Sequence, residues 1–190
     1  MHWRIKREAL VVIGLFILVA MSWQFLQDNE QTAQHVFEEQ KEIDGYLNHF
    51  VVTSMDEQGQ PNHRLEAERM VSFTGSHLSQ LDKPFMTLYR DNANPWLIRA
   101  QHGLVQSDKD VVYLTGGVRM TNEDALGNLT EVLTDTLEVQ ARVHYAETND
   151  QVTLHHYQGQ AQGTGMQAYL KEGRLALLDE VRSRYEAVKP

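Results

Sequence analysis

The chain has no cysteine. That excludes a disulfide framework, a Cys-ligated zinc site and a thiol nucleophile. It is also short of positive charge, with 17 Lys and Arg against 26 Asp and Glu, a formal balance of −9. The segment ahead of the first apolar run holds Arg4, Lys6, Arg7 and Glu8, which leaves −11 on everything after it. An acidic domain of this kind is a poor partner for nucleic acid, whose phosphates need Lys and Arg. It is equally unsuited to lying flat on an anionic bilayer. Signatures of catalysis are lacking as well. The nine histidines are scattered and form no H-E-x-x-H, and the adjacent His155-His156, on a strand, point to opposite faces. The run Gly159-Gln160-Ala161-Gln162-Gly163-Thr164-Gly165 has neither the following Lys nor the helix of a phosphate loop, and reads as a turn between strands. There is no nucleophile-elbow pattern. No catalytic residue, metal ligand or cofactor site is assigned, and the chain reads as a non-enzyme.

What is present begins with an apolar run. Ala9 to Met21 is unbroken, and with Ser22 and Gln24 tolerated the run reaches Leu26. At a helical rise of about 1.5 Å per residue, residues 9–26 cover roughly 27 Å, enough for the core of a bilayer. Trp3 and Trp23 flank the run as interfacial anchors do. Basic residues precede it, whereas Asp28 and Glu30 follow it, so the positive-inside rule puts residues 1–8 in the cytoplasm and everything after Leu26 outside. The rival reading is a cleaved signal peptide with Ala20-Met21-Ser22 as its processing site. Both readings export the domain and differ only in whether it stays tethered. Residues 27–45 are polar and charged and read as a linker.

From Tyr46 to the end the pattern is short alternating runs separated by turn signals. Tyr46 to Val52 leads into the turn Asp56-Glu57-Gln58-Gly59; His63 to Met70 alternates; Val111 to Leu114 and Val118 to Met120 flank Gly116-Gly117. Asp91 to Pro95, Asn122-Glu123-Asp124 and Thr148-Asn149-Asp150 read as turns. Leu129 to Val143 is rich in β-branched residues and reads as strand. A weak internal repeat runs through this region. Ala67 and Ala100 are 33 residues apart, and Ala100 to Ala168 is two steps of 34 that pass through Thr134. Phe85, Val118 and Val152 keep the same spacing. Such a period implies one strand-turn-strand unit stacked several times, unless it is a coincidence among short alternating runs. Stacked units with small residues at fixed inner positions suggest two facing sheets around an apolar interior, with terminal strands free to accept another sheet.

These features, in this order, resemble the LptC family of the lipopolysaccharide export machinery of Gram-negative bacteria. The likeness is carried by the short tail and single anchor, by Met55-Asp56-Glu57-Gln58-Gly59, Arg64-Leu65-Glu66-Ala67-Glu68, Trp96-Leu97-Ile98-Arg99-Ala100 and Val112-Tyr113-Leu114-Thr115-Gly116, and by the closing Val181-Arg182-Ser183-Arg184-Tyr185-Glu186. The resemblance implies an all-β fold, an open, twisted β-jellyroll of antiparallel strands over residues 46–190, preceded by one transmembrane helix. It implies an inner-membrane, single-pass protein with a periplasmic domain. It implies transport: lipopolysaccharide taken from the inner-membrane LptB-LptF-LptG transporter and passed to the periplasmic protein LptA, with no catalytic activity. A tethered scaffold that recruits a partner without binding lipid is the alternative.

A lipid crossing water needs an apolar trough, and each buried CH₂ offsets roughly 0.8 kcal/mol. The candidates for that trough are Phe50, Val52, Leu65, Leu81, Phe85, Ile98, Leu114, Val118, Met120, Leu154 and Leu175. For most of them, taken singly, plain core packing is the better expectation. Arg182, Tyr185 and Glu186 are candidates for docking the next jellyroll at the terminal edge. Phe50, Leu81, Leu175 and Tyr185 correspond to positions that contact lipid or partner in the family.

Overall fold

The computed structural model describes residues 43–185. The expected tail, membrane helix and nearly all of the linker, together with Glu186, lie outside the described residues. Among the described residues no helix is long and apolar enough to cross a membrane.

Eleven strands follow one another: β1 Ile43–Met55, β2 Pro61–Phe73, β3 Leu78–Asp82, β4 Phe85–Arg90, β5 Ala93–Arg99, β6 His102–Gln106, β7 Val111–Glu123, β8 Leu129–Gln140, β9 Tyr145–His156, β10 Gly159–Tyr169 and β11 Arg174–Tyr185. A 3-10 turn at Ala141–Val143 joins β8 to β9. All pairings are antiparallel and form one sheet. β3 and β4 pair successively along β2, and β5 and β6 lie against β4 and β3, so each couple acts as one long strand broken in the middle. The result is an up-and-down meander running from β1 to β11, with one neighbour for each of these two edge strands.

The breaks are not random. β1 carries His49 at φ 50; β3 and β4 part at Lys83, φ 48, beside Pro84; β5 and β6 part at Ala100-Gln101. β7 has Gly116 and Gly117 at positive φ, β10 has Gly165, and β11 has Glu180 at φ 50. The β7–β8, β8–β9, β9–β10 and β10–β11 ladders slip their register at the same level. These irregularities form a line across the strands, and along it the sheet creases. Bulges and left-handed residues bend a strand and raise its local twist. Two sheets were expected; one sheet bent on itself takes their place, because most strands run through the crease without changing partners.

The crease explains the repeat. Ala67, Ala100 and Thr134 sit beside it on β2, at the end of β5 and on β8, and all are buried. Small side chains thus occupy the inner side of the bend at these three places. Gly163 on β10 is tight for a different reason, since a Cβ there would stand 3.0 Å from the Asp179 carbonyl oxygen on the neighbouring strand β11. The step to Ala168 falls away from the bend, because β9 and β10 join through only Tyr157 and Gln158 and the last hairpin is shorter. The structure corrects two further expectations. The run from Gly159 to Gly165 is strand, with its glycines serving close approach and the bend. Thr148-Asn149-Asp150 lies inside β9, where the slipped β8–β9 ladder leaves turn-forming residues mid-strand.

The interior is one apolar cluster drawn from both sides of the crease, including Met86, Ile98, Met120 and Val132 from one wall and Leu114, Val139, Ala146 and Met166 from the other. Gly116 and Gly117 separate two contributions to the bend. At Gly116, φ +85, a Cβ would fall 2.9 Å from the Gln101 Cβ, whereas at Gly117, φ +76, nothing lies within 4 Å. Gly117→Ala is therefore expected to cost about 1–2 kcal/mol from left-handed backbone alone. Gly116→Ala should cost more, since the crease must also shift. Urea unfolding of the two variants checks this, and equal losses would contradict it.

Candidate functional site

The registers assemble the site from single residues. Val52 pairs with Leu65, Leu65 with Met86, Met86 with Ile98, Ile98 with Met120, Met120 with Val132, Val132 with Leu154, and Leu154 with Ala161. This is one continuous apolar row that crosses the wall from the edge strand β1 to β10. Five of the expected groove residues, Val52, Leu65, Ile98, Met120 and Leu154, belong to it. Beyond the crease a second row runs Leu47, Met70, Leu81, Gly103, Leu114 and Leu137. A third runs Val105, Val112, Val139, Ala146, Ala168 and Leu175. Leu81, Leu114 and Leu175 are thus on the opposing wall.

Burial along the first row changes from end to end. Val52 is 50% exposed, Leu65 is half-buried, and Met86, Ile98, Met120 and Val132 are fully buried; Leu154 and Ala161 are again half-buried. The row is filled by its own side chains in the middle and opens towards both edges. Leu81, Leu114 and Val118 are fully buried, so with Ile98 and Met120 they form packed interior. Phe50 and Phe85 are half-buried on either side of β2, paired with Ala67 and Glu66 respectively, and the Arg99 guanidinium lies 4.8 Å from the Phe85 ring centre. Sequence reading missed Met86, Val132 and Met166. Their signal was available as alternation around Met86-Thr87-Leu88 and Val132-Leu133-Thr134, but short runs do not announce which parity faces in. Three methionines (Met86, Met120, Met166) in the interior matter physically, because an unbranched thioether refills irregular space more readily than Leu or Ile.

The two edges differ in character. β1 carries exposed Ile43, Tyr46, Leu47, Val51, Val52 and Met55, apolar side chains on both of its faces. β11 ends in exposed Arg182, Ser183 and Arg184, and Tyr185 pairs with Gly159 at its last rung.

Titratable groups do not converge on a reactive centre. Among the described residues no group of three or more His, Cys, Asp or Glu is disposed to hold a metal ion. His144 is buried, with φ 54, and its Nε2 donates to the Tyr89 carbonyl oxygen at 2.6 Å. Nearby His63 has its pKa lowered first by burial and then by the charge of His144, with Arg142 adding to the effect and Asp110 opposing it.

A family model described as lipopolysaccharide-assembly, LptC-related matches residues 9–186. The chain belongs to the LptC family. The lipopolysaccharide export system protein LptC of Escherichia coli K12 is 22% identical over 183 residues, spanning 95% of this chain and 94% of its own length. The Shigella flexneri protein of the same name matches equally well, at 22% identity over the same 183 residues. Among solved structures, LptH of Pseudomonas aeruginosa, described as the LptA-homologous periplasmic component of a lipopolysaccharide transport device, superposes with a TM-score of 0.52 at 10% identity. It covers 67% of this chain and 95% of its own. That likeness is one of fold, and it places the bent sheet with the LptA-like jellyrolls.

His63 gives the site a pH signature. A His held below its ordinary value of about 6.5 protonates first in the unfolded chain, so its contribution to stability is complete above that pH and is lost as pH falls towards the folded value. Urea midpoints of the parent and His63→Gln at pH 7.5 and 5.5 test this. The parent should lose more stability on acidification than the variant, and an identical loss in both would contradict it.

Proposed function

We propose that this domain is one link in a lipopolysaccharide transport path, holding the acyl chains inside the bent sheet and leaving the sugars and phosphates in water. The observation that carries this reading is the apolar row from Val52 to Ala161, which crosses the sheet and is exposed at its β1 end. Family membership and the jellyroll fold support a role in lipopolysaccharide transport. In this reading residues 9–26 anchor the chain in the inner membrane, residues 1–8 are cytoplasmic, and residues 27–45 lead to the periplasmic domain. β1, with apolar side chains and an unpaired edge, receives lipid from the LptB-LptF-LptG transporter. β11, bearing Arg182 and Tyr185 and followed by Glu186, passes it to LptA by edge-to-edge strand addition.

The physics is consistent with that division. Acyl chains need only apolar area, and the interior supplies it without a charged side chain in the packed cluster. The chain's acidic balance disfavours contact with phosphates, which keeps the head group out of the interior. The family is a transport component, and no step of bond chemistry is invoked.

A photo-crosslinking residue placed at Val52 or Leu65 of the full-length protein in cells should give lipopolysaccharide adducts, with none from the exposed outer turn position Leu126. A folded, membrane-inserted protein that gives no adduct at either inner position would overturn the lipid-path reading; retained capture of LptA in that case would leave a scaffold. Deleting residues 181–190 removes the outer half of β11. It should abolish capture of LptA while leaving the urea midpoint close to the parent, and undiminished capture would contradict edge docking.

A further inference from the structure

The bent sheet is held shut at one place by contacts that belong to no ladder. The turn between β4 and β5 lies at one end of the strands. His144, before β9, and the β10–β11 turn at Leu170 to Gly173 lie at the other end. Along the sheet these segments are separated by β7 and β8 or more, yet they touch. Trp96 Nε1 donates to the Leu170 carbonyl oxygen at 3.1 Å, and Arg90 Nε donates to the Lys171 carbonyl oxygen at 3.2 Å. His144 Nε2 reaches the Tyr89 carbonyl oxygen, and Lys171 Nζ stands 3.7 Å from Asp91 Oδ2. On the receiving side, Leu170 N–H donates to the His144 carbonyl oxygen, so the two C-terminal turns act as one jaw. Gly173, φ +72, admits the Arg90 guanidinium: a Cβ there would come within 2.9 Å of Arg90 Nη2.

What lies on each side of these contacts sets their meaning. Outside is a polar cleft of about 470 Å³ lined by Asp56, Gln58, Gln60, Asn62, Tyr89, Arg90, Asp91, His144 and Lys171, among others. Inside are Leu88, Trp96 and Leu170, all fully buried. A polar cleft and an apolar interior meet at this boundary, and three hydrogen bonds and one exposed ion pair join the two jaws across it. Exposed ion pairs hold weakly. Separating the jaws breaks no rung of the sheet, and the crease already supplies a hinge. An amphiphile with an acyl body and a polar head fits that boundary, its chains inward and its head on the outer, polar side.

We infer that the Tyr89–Trp96 tip and the His144 and Leu170–Gly173 turns form a releasable clasp. It opens sideways to admit acyl chains into the interior and closes behind them. This rests on the lipid-path reading above and adds the route of entry.

The chain's lack of cysteine makes the test clean. Asp91→Cys with Lys171→Cys, in the full-length protein carrying a photo-crosslinking residue at Leu65, can be bridged by a short bis-maleimide. Bridging the clasp should cut the lipopolysaccharide adduct at least tenfold. Bridging Thr136→Cys with Asp150→Cys, a pair joined by a side-chain hydrogen bond between the adjacent strands β8 and β9, should leave the adduct unchanged. Equal adduct yields with the clasp bridged and unbridged would overturn the clasp while leaving the lipid path intact. No adduct even without bridging would sink the lipid-path reading, and the clasp with it. As a second readout, spin labels at the same 91/171 pair should move apart by more than about 5 Å when lipopolysaccharide is added. An unchanged distance in protein that does form adducts would also overturn the clasp.

Discussion

The crease is the constraint on which the rest of the structure depends. A flat meander of this length would leave both faces in water and bury nothing. Bending every strand at one level brings the two halves of the same face together and makes an interior without a second sheet. The bend is made by several different devices: left-handed His49, Lys83 and Glu180, the Gly116-Gly117 pair, Gly165, and the chain breaks at Pro84 and Gln101. Small buried residues, Ala67, Ala100 and Thr134, line the inner bend, and Gly163 lets β11 approach β10 closely.

From that geometry the candidate site follows. A bent sheet keeps its edges, so the apolar row that lines one wall emerges at β1 instead of ending against a cap. The middle of the row is fully buried, with Ile98 wholly out of water. On the proposed lipid path, the interior refits around acyl chains through Met86, Met120 and Met166, and its walls part along the crease.

Much of this was legible in the sequence. Alternating runs and turn residues located β1, β2, β7 and β9, and Leu129 to Val143 was readable as strand from its Thr and Val content, which holds as far as Gln140, where the 3-10 turn begins. The spacing of Ala67, Ala100 and Thr134 was real, and its cause is the crease recurring on every second long strand. Reading failed where turn-forming residues do another job. The glycines from Gly159 to Gly165 and the Thr148-Asn149-Asp150 triplet sit inside strands because a bend needs the same backbone freedom as a turn. Nor does alternation tell a groove from a core: Val52 and Ile98 share one row and one face, yet one is half exposed and the other sealed. That difference arises from how many strands lie on either side, which is a fact of topology. Contacts such as Trp96 with Leu170 are equally invisible in the sequence, since they join opposite ends of strands far apart in the chain.

The most direct test of the central claim is the structure of the domain with a multiply acylated lipopolysaccharide bound. Acyl chains should lie between the two walls against Leu65, Ile98, Met120 and Leu154, with the sugars outside. Acyl chains on the outer surface, over an interior packed as it is here, would contradict it.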